Sequence, residues 1–214
     1  MPRVIQPELL DSLPPDDPDA QHSRRDLRRI NTLMGNHRWL ARVLPALLEP
    51  GERALELGAG SGELGMRLHR AGIAVDGLDL CPAPPHWPRE RPWHRADLRS
   101  FGGYGDYAVV FGGLIFHHLC DDELRALGAA FPAGVRTVVA AEPARSGHAQ
   151  RLFRWFAPLF GANRVTMHDA DVSIAAGFQG LELPGALGLT PPTWHVQIEA
   201  GFPGGYRMVA RRCP

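Results

Sequence analysis

A short apolar segment that runs directly into a glycine-rich loop most constrains what this chain can fold into. Residues 54–62 read Ala-Leu-Glu-Leu-Gly-Ala-Gly-Ser-Gly, so a strand-like run precedes glycines at 58, 60 and 62. Glycine permits sharp backbone turns and lets a ligand approach the start of the next helix closely. The pattern therefore predicts a strand, a glycine turn and a helix that together form half of a nucleotide-type binding site.

A second apolar run supports this interpretation. Residues 73–80 read Ile-Ala-Val-Asp-Gly-Leu-Asp-Leu, and Asp79 lies near the end of the predicted strand. A carboxylate in this position accepts hydrogen bonds from ribose hydroxyls. We therefore expect Asp79 to bind a ribose.

The glycine spacing distinguishes two classes of cofactor. A dinucleotide fingerprint, G-x-G-x-x-G, read from Gly58 requires glycine where the chain has Glu63. Read from Gly60 the fingerprint is complete, but Gly58, directly after the strand, is then unexplained. An NAD-linked oxidoreductase stays open as the alternative on this reading.

The form E-x-G-x-G-x-G, from Glu56 to Gly62, resembles the first motif of class I S-adenosyl-L-methionine (SAM) methyltransferases. Residues 109–119, which end in His-His-Leu, are similar to the fourth-strand motif of small-molecule members of that class. The nearest pattern is that of the ubiquinone-biosynthesis and polyketide-pathway enzymes (methyltransferase type 11/12). The chain departs from it at Ala108, where the motif usually opens with Asp. Residues 141–146 and 168–178 also resemble segments of the polyketide-pathway group.

This resemblance implies a fold, a cofactor and a set of contacts. The fold is a Rossmann-like seven-stranded sheet, mostly parallel with an antiparallel last strand, with helices on both faces and a small helical cap. The cofactor is SAM, its product S-adenosyl-L-homocysteine (SAH), and no metal is expected. The implied cofactor contacts are Glu56, Gly58, Ala59, Gly60, Gly62, Asp79, Leu80, Asp97, Leu98 and Gly112.

Hydrophobic patterning predicts the individual elements. Strands are predicted over residues 53–57, 73–79, 93–96, 107–111 and 135–141, and helices over 62–71, 121–131, 147–160 and 170–176. A hairpin is predicted from the alternating segments 194–199 and 206–211. Two helices, broken at Gly35-Asn36, are expected between Ser23 and Leu48. The proline-containing residues 1–22 are expected to form an arm, either flexible or ordered on contact.

We expect a single domain overall, with an arm and helical cap over 1–50 and a cofactor-binding core over 51–214. The core carries a cap insertion at about 147–190. Aromatic side chains in both cap regions favour a small, flat or lipophilic acceptor. The predicted acceptor contacts are Asn31, Arg38, Trp39 and Phe156.

Candidate catalytic residues follow from the chemistry of methyl transfer. The reaction is an in-line displacement, and a phenol or enol nucleophile gains from a base with a pKa near neutrality, which favours histidine. The candidates are His117, His118 and His168, with Glu142 at the carboxyl end of the fifth strand. For each of them an ordinary structural role, in a helix start, a surface turn or a strand end, stays open.

Composition excludes other classes of function. Lys plus Arg equals Asp plus Glu at 23 each, so no basic excess indicates nucleic acid. No apolar run approaches the ~20 residues that span a bilayer. Three scattered cysteines and the lack of a signal-like segment favour the cytoplasm.

No H-E-x-x-H or paired-cysteine spacing indicates a metal, and adjacent His117 and His118 are expected to diverge. A SAM-binding protein without catalysis and an RNA or protein methyltransferase stay open, as does the oligomeric state.

Overall fold

The computed structural model of this chain describes residues 2–14 and 16–214, so Met1 and Pro15 of the predicted arm lie outside the described residues. Its centre is a seven-stranded sheet in the order β3-β2-β1-β4-β5-β7-β6. The first five strands are parallel, and β7 pairs antiparallel with both β5 and β6. The strands are β1 Ala54–Leu57, β2 Val75–Asp79, β3 Trp93–Arg95, β4 Val109–Gly113, β5 Thr137–Pro143, β6 Trp194–Gly201 and β7 Gly205–Arg212. The predicted Rossmann-like methyltransferase sheet is confirmed.

Eight α-helices surround this sheet in the described part of the chain. They are α1 Leu9–Ser12, α2 Pro18–Met34, α3 Asn36–Val43, α4 Glu63–Arg70, α5 Asp121–Ala129, α6 Gly147–Phe156, α7 Arg164–Ala176 and α8 Glu182–Ala186. The predicted break after α2 is confirmed, since Gly35 takes a left-handed φ of 66° that ends the helix.

Two helices begin earlier than predicted, and in both cases a capping side chain is the reason. The carboxylate of Asp17 accepts hydrogen bonds from the N–H groups of Asp19 and Ala20, so α2 begins within the predicted arm. Asn163 caps α7 in the same way by accepting from the N–H of Thr166. The helix therefore begins at Arg164, six residues before its expected start. Capping residues were present in the sequence, but apolar periodicity alone did not show them.

Alternation along the strands divides the core between the two faces of the sheet. Leu55, Val110 and Val138 point to a cluster covered by α5 and α8. The neighbouring residues Ala54, Val109 and Val139 point to a second cluster, which contains Trp39, Leu40 and Leu44 of the α3 region and Leu64 and Leu68 of α4. Both faces are therefore covered, and the carboxyl ends of the parallel strands are left as the place where polar groups meet. No helix in the described residues has the length and apolar character needed to cross a bilayer.

Candidate functional site

The carboxyl ends of β1 and β4 form a cleft at the centre of the sheet. From β1 the chain crosses over to β2 on one side, and from β4 it crosses to β5 on the other. Ligands of open α/β sheets bind where the connections diverge in this way. Gly58 follows β1, and Gly112 lies at the end of β4, so predicted cofactor residues border the cleft.

The glycine loop after β1 has left-handed backbone conformations that a larger residue would resist. Gly58, Gly60 and Gly62 have φ values of 62°, 52° and 69°. A Cβ on Gly58 would lie 2.7 Å from Cδ1 of Ile115, and one on Gly112 would lie 2.5 Å from Cγ2 of the same side chain. The Ile115 side chain therefore packs on both glycines at the mouth of the cleft. Ala59, also predicted to contact the cofactor, is buried within the loop.

Asp79 ends β2 beside this loop, as the ribose prediction requires. Its carboxylate accepts a 2.8 Å hydrogen bond from the N–H of Gly60 and another of 2.8 Å from that of Cys81. These bonds hold the side chain against the glycine turn while leaving it partly exposed. Leu80, next along the chain, is 66% exposed and offers apolar surface at the same edge.

Glu56 lies on β1 beneath the glycine loop and is almost fully buried. Among the described residues, its Oε2 atom has no hydrogen-bond partner. Burial raises the pKa of Glu56 to about 8, opposed by a hydrogen bond from the backbone of Gly65 and assisted by the charge of Asp79. A buried carboxyl group with an unsatisfied oxygen is costly unless a polar or cationic group meets it. This is the strongest sign of a cationic ligand in the cleft.

Asp97 and Leu98, predicted to contact adenine, follow β3. Arg99 holds the carboxylate of Asp97 through Nε at 2.9 and 3.0 Å, and hydrogen bonds from Arg99 lower the pKa of that carboxyl. Leu98 packs against the core cluster that α5 and α8 cover, and its carbonyl accepts from the hydroxyl of Tyr104 at 2.5 Å. The loop is thus fixed by its own contacts, and Asp97 is already paired.

A cavity of about 290 Å³ lies beside the cleft. The N-terminal arm forms one wall, with Ile5, Gln6, Pro7, Glu8 and Asp11. The opposite walls are His117 and His118, which follow β4, and Val172, Ser173 and Ala176 of α7. Apolar and titratable side chains are mixed in this lining, as in pockets that bind small molecules.

Glu142, fully buried at the carboxyl end of β5, organises the loop that carries the two histidines. Its Oε1 accepts from the backbone N–H groups of Ile115 and Phe116 at 2.9 and 3.1 Å. Its Oε2 accepts from the N–H of His117 at 3.3 Å and lies 2.6 Å from Nδ1 of the His117 ring. Four donors therefore converge on one carboxylate. Nδ1 of His117 is committed to Glu142, and Nε2 is turned toward Glu8 at 3.7 Å.

The two histidines titrate in opposite directions. Burial lowers the pKa of His117, but hydrogen bonds and charges from Glu142 and Glu8 raise it by more, to about 9. Desolvation and the positive charge of His117 lower the pKa of His118. At neutral pH His117 is therefore an imidazolium and His118 a neutral imidazole. Pairs of groups whose environments push their pKa values apart are typical of acid–base sites.

The expectation that adjacent His117 and His118 diverge is wrong. They belong to a short 3-10 turn, Phe116–His118, and their ring centroids lie 4.1 Å apart. In the described residues, Glu8, His117 and His118 place one potential ligand atom each within 4.8 Å of the others. A metal ion there would have to displace the proton that His117 holds between two carboxylates. We therefore interpret the group as a charge cluster, and the expectation of no metal stays a prediction.

The N-terminal arm is a part of the site that the sequence did not reveal. Arg3 donates to the carbonyl oxygens of Leu119 at 2.6 Å and Ala176 at 2.9 Å, and it pairs with Asp121 at 2.7 Å. Glu8 bonds the Ser173 hydroxyl of α7. The arm therefore forms one wall of the cavity, and whether it orders on contact stays a prediction. The only hint in the sequence was the presence of charged residues in a segment rich in proline.

The remaining predicted residues fall at several places. Asn31 donates to His37 at 2.9 Å, and the nearby charges of Glu63 and Arg67 act on His37, so this pair lies over the start of α4. Trp39 is buried in the core with the guanidinium of Arg207 over its ring, and its contact with an acceptor stays a prediction. The candidates Arg38, Phe156 and His168 are not among the described residues that line the cavity. His168 does contact Asp169 at 3.0 Å, but that carboxylate also caps α1.

No protein-family model and no curated protein matches this sequence. Solved structures share its fold. The plantazolicin methyltransferase BpumL in complex with SAH has a TM-score of 0.68 at 10% identity, over 93% of this chain and 92% of that one. Burkholderia thailandensis 1,6-didemethyltoxoflavin-N1-methyltransferase, with 1,6-didemethyltoxoflavin and SAH bound, has a TM-score of 0.60 at 17% identity, over 92% and 86%.

Magnesium protoporphyrin IX methyltransferase (ChlM) from Synechocystis PCC 6803 with bound SAH gives 0.54 at 16% identity, over 86% and 84%. In each case the match extends over most of both chains, from 84% to 93% of their length. At these identities the likeness establishes the fold: a Rossmann-like sheet shared with small-molecule methyltransferases crystallised with SAH or SAM.

Proposed function

We propose that the protein is a SAM-dependent methyltransferase that acts on a small aromatic or lipophilic acceptor, at oxygen or carbon. The observation that carries the proposal is the buried carboxyl of Glu56, beneath a glycine loop at the switch point of the sheet, whose Oε2 atom has no hydrogen-bond partner among the described residues. A zwitterionic cofactor with an ammonium group would give this carboxyl the partner it lacks. The fold shared with SAH-bound methyltransferases supports the same assignment.

The residues of the cleft fit SAM part by part. Glu56 would hold the ammonium group, the backbone around Gly58 would lie along the methionine chain, and Asp79 would bind the ribose. Leu80 would offer apolar surface to adenine. Asp97 would contact adenine while its carboxylate stays bound to Arg99. When bound, SAM supplies a methyl group on a positively charged sulfur, which a nucleophile displaces in line.

The histidine pair accounts for proton removal. His118, neutral and facing the cavity, would accept the proton of an acceptor hydroxyl or carbon acid. Cationic His117 would orient that ring and stabilise negative charge that develops on the acceptor. Glu142 would act as a positioning residue, since it holds the loop and ring that carry both functions. One structural neighbour is by its name an N1-methyltransferase, so nitrogen acceptors belong in the test.

The test is calorimetric titration of the purified protein with SAH, and with NADH as the control. Binding of SAH alone, lost in Asp79→Asn, supports the cofactor; binding of NADH alone would establish the oxidoreductase alternative. Transfer of a labelled methyl group to phenols, quinols or heterocyclic amines then tests catalysis. SAH binding without transfer to any acceptor would favour a SAM-binding protein that does not catalyse. The likeness to ubiquinone and polyketide enzymes and the cytoplasmic location stay predictions.

A further inference from the structure

Helix α6 presents an apolar stripe to solvent. Leu152, Trp155, Phe156 and Leu159 follow the spacing i, i+3, i+4 and i+7 through α6 and the 3-10 turn after it, and their exposures are 59%, 79%, 54% and 77%. A stripe with this spacing normally packs against the core of a globular protein. All residues of Gly147–Phe156 are described, and none of them is buried. The stripe is therefore directed away from the core.

The sequence around the stripe is strongly basic. From Pro143 to His168 the chain contains Arg145, Arg151, Arg154 and Arg164 and neither Asp nor Glu. Arg145 is buried and binds Glu182, Arg154 pairs with Asp171, and exposed Arg164 lies 3.9 Å from Asp19. Arg151, exposed on the same helix as the stripe, bonds His148 and the carbonyl oxygen of Gly147. This local excess contrasts with the zero net charge of the whole chain.

The surface continues beyond the helix. His148, Arg151, Leu152, Trp155 and Phe156 line an open groove of about 430 Å³. At the tip of the β6–β7 hairpin, a Cβ on Gly204 would lie 3.6 Å from Cβ of Ala149, so the tip touches the start of α6. Phe202, at that tip, is 91% exposed. Two separate elements therefore direct large apolar side chains to solvent on the same side of the molecule.

We propose that this surface, formed by α6, the 3-10 turn after it and the hairpin tip, binds the headgroup region of an anionic lipid bilayer. An interfacial helix combines tryptophan and leucine on one face with flanking arginines, which anionic headgroups neutralise. A second copy of the chain is a poorer partner, because a two-fold contact would place the same acid-free segments opposite one another. The inference does not depend on the proposed enzymatic activity.

The test is co-sedimentation of the full chain with vesicles of phosphatidylcholine, with and without phosphatidylglycerol. We expect binding to the anionic vesicles only, weakened by added salt. The double variant Trp155→Ala/Leu159→Ala should bind about a hundredfold more weakly or worse, because each buried side chain contributes a factor of ten or more at roughly 1.5–3 kcal/mol. The matched control is Leu181→Ala, equally apolar and 70% exposed but located at the start of α8.

A second readout locates the contact. Tryptophan emission should shift to shorter wavelength on vesicle binding in the wild type and lose that shift in Trp155→Phe, which should still sediment with vesicles. Equal binding by the double variant and wild type would overturn the proposal, as would equal binding to both vesicle types. A wild type that dimerises without lipid, and becomes monomeric in the double variant, would instead assign the surface to self-association.

Discussion

Two buried glutamates, one in each half of the site, have opposite surroundings. In the cleft after β1, Glu56 is buried with one oxygen unpartnered among the described residues, and burial raises its pKa to about 8. Beside the cavity, Glu142 is at least as deeply buried but accepts hydrogen bonds from three backbone N–H groups and a histidine ring. The same residue type can therefore have two different roles. A satisfied carboxylate fixes a loop, and an unsatisfied one favours a ligand that completes it.

The largest expected effect concerns the cavity. His118→Gln should lower kcat/KM by about 10²–10⁴-fold if His118 is the base. In the wild type, activity should rise with pH through a pKa below the usual histidine value and fall as His117 loses its proton near pH 9. Steady-state rates across pH give the profile. His195→Gln, exposed on β6, is the control, and a His118 variant with the wild-type profile contradicts the assignment.

Glu142→Gln tests whether this carboxylate holds the cavity together. Removing a charge that accepts from a buried imidazolium and three amides should lower the free energy of unfolding by about 3 kcal/mol. Urea unfolding measures it. Glu90→Gln, which disturbs an exposed pair with His69, should change stability by less than about 1 kcal/mol. Equal losses in the two variants would mean that Glu142 does not hold the cavity together.

Gly58→Ala tests the cleft, with Gly72→Ala as its control. Both residues have left-handed φ values, 62° and 80°, so both variants should lose about 1–2 kcal/mol of stability. A Cβ at Gly58 meets Ile115, whereas one at Gly72 has nothing within 4 Å. SAH affinity, measured by calorimetry, should therefore fall at least about tenfold only in Gly58→Ala. Unchanged affinity would mean that the cleft is not the cofactor site.

The pH dependence of stability sharpens the account of His117. Its pKa is raised on folding from 6.5 to about 9, so its contribution is fully present below pH 6.5 and is lost as pH rises through 9. The free energy of unfolding should therefore decline over this interval. His117→Gln should flatten the decline, and chemical unfolding at a series of pH values measures both. A decline as steep in the variant would assign it to other groups.

The smallest expected effect is the release of a proton from Glu56 when SAH binds. With a pKa of about 8, Glu56 is mostly protonated at pH 7, and a bound ammonium group favours the ionised form. SAH binding at pH 7 should release up to about one proton, and its affinity should rise toward pH 8. Calorimetry in two buffers of different ionisation enthalpy measures the release. Glu56→Gln should abolish it, and a release that persists in that variant comes from elsewhere.

The cleft was predictable from the sequence because its parts are close in the chain. Glu56, the three glycines and Asp79 span 24 residues of a single β-α-β unit, where local spacing fixes the geometry. The pairing of Asp97 was not predicted, since nothing in the sequence required Arg99 to fold back on it. The hairpin followed from local alternation, whereas the seven-stranded sheet with an antiparallel last strand was implied by the family resemblance.

The cavity could not be predicted in this way. Its walls join Glu8, His117 and Ser173, which are more than fifty residues apart in every pairing, and no local pattern encodes such contacts. The stacking of His117 on His118 depends on a 3-10 turn after Leu114, whose φ of 59° is unusual for a residue with a side chain. Trp39 is buried, because an aromatic residue in a cap helix packs equally well inward.

The short loop after β4 has a consequence for binding energetics. Ile115 covers the cleft between Gly58 and Gly112, while two residues later His117 forms a wall of the cavity, and Glu142 holds the amide groups of both. A ligand that displaced Ile115 would therefore act on the same loop that positions the histidine. Any coupling between the two sites would be reciprocal: whatever factor the first ligand imposed on the affinity of the second, the second would impose on the first.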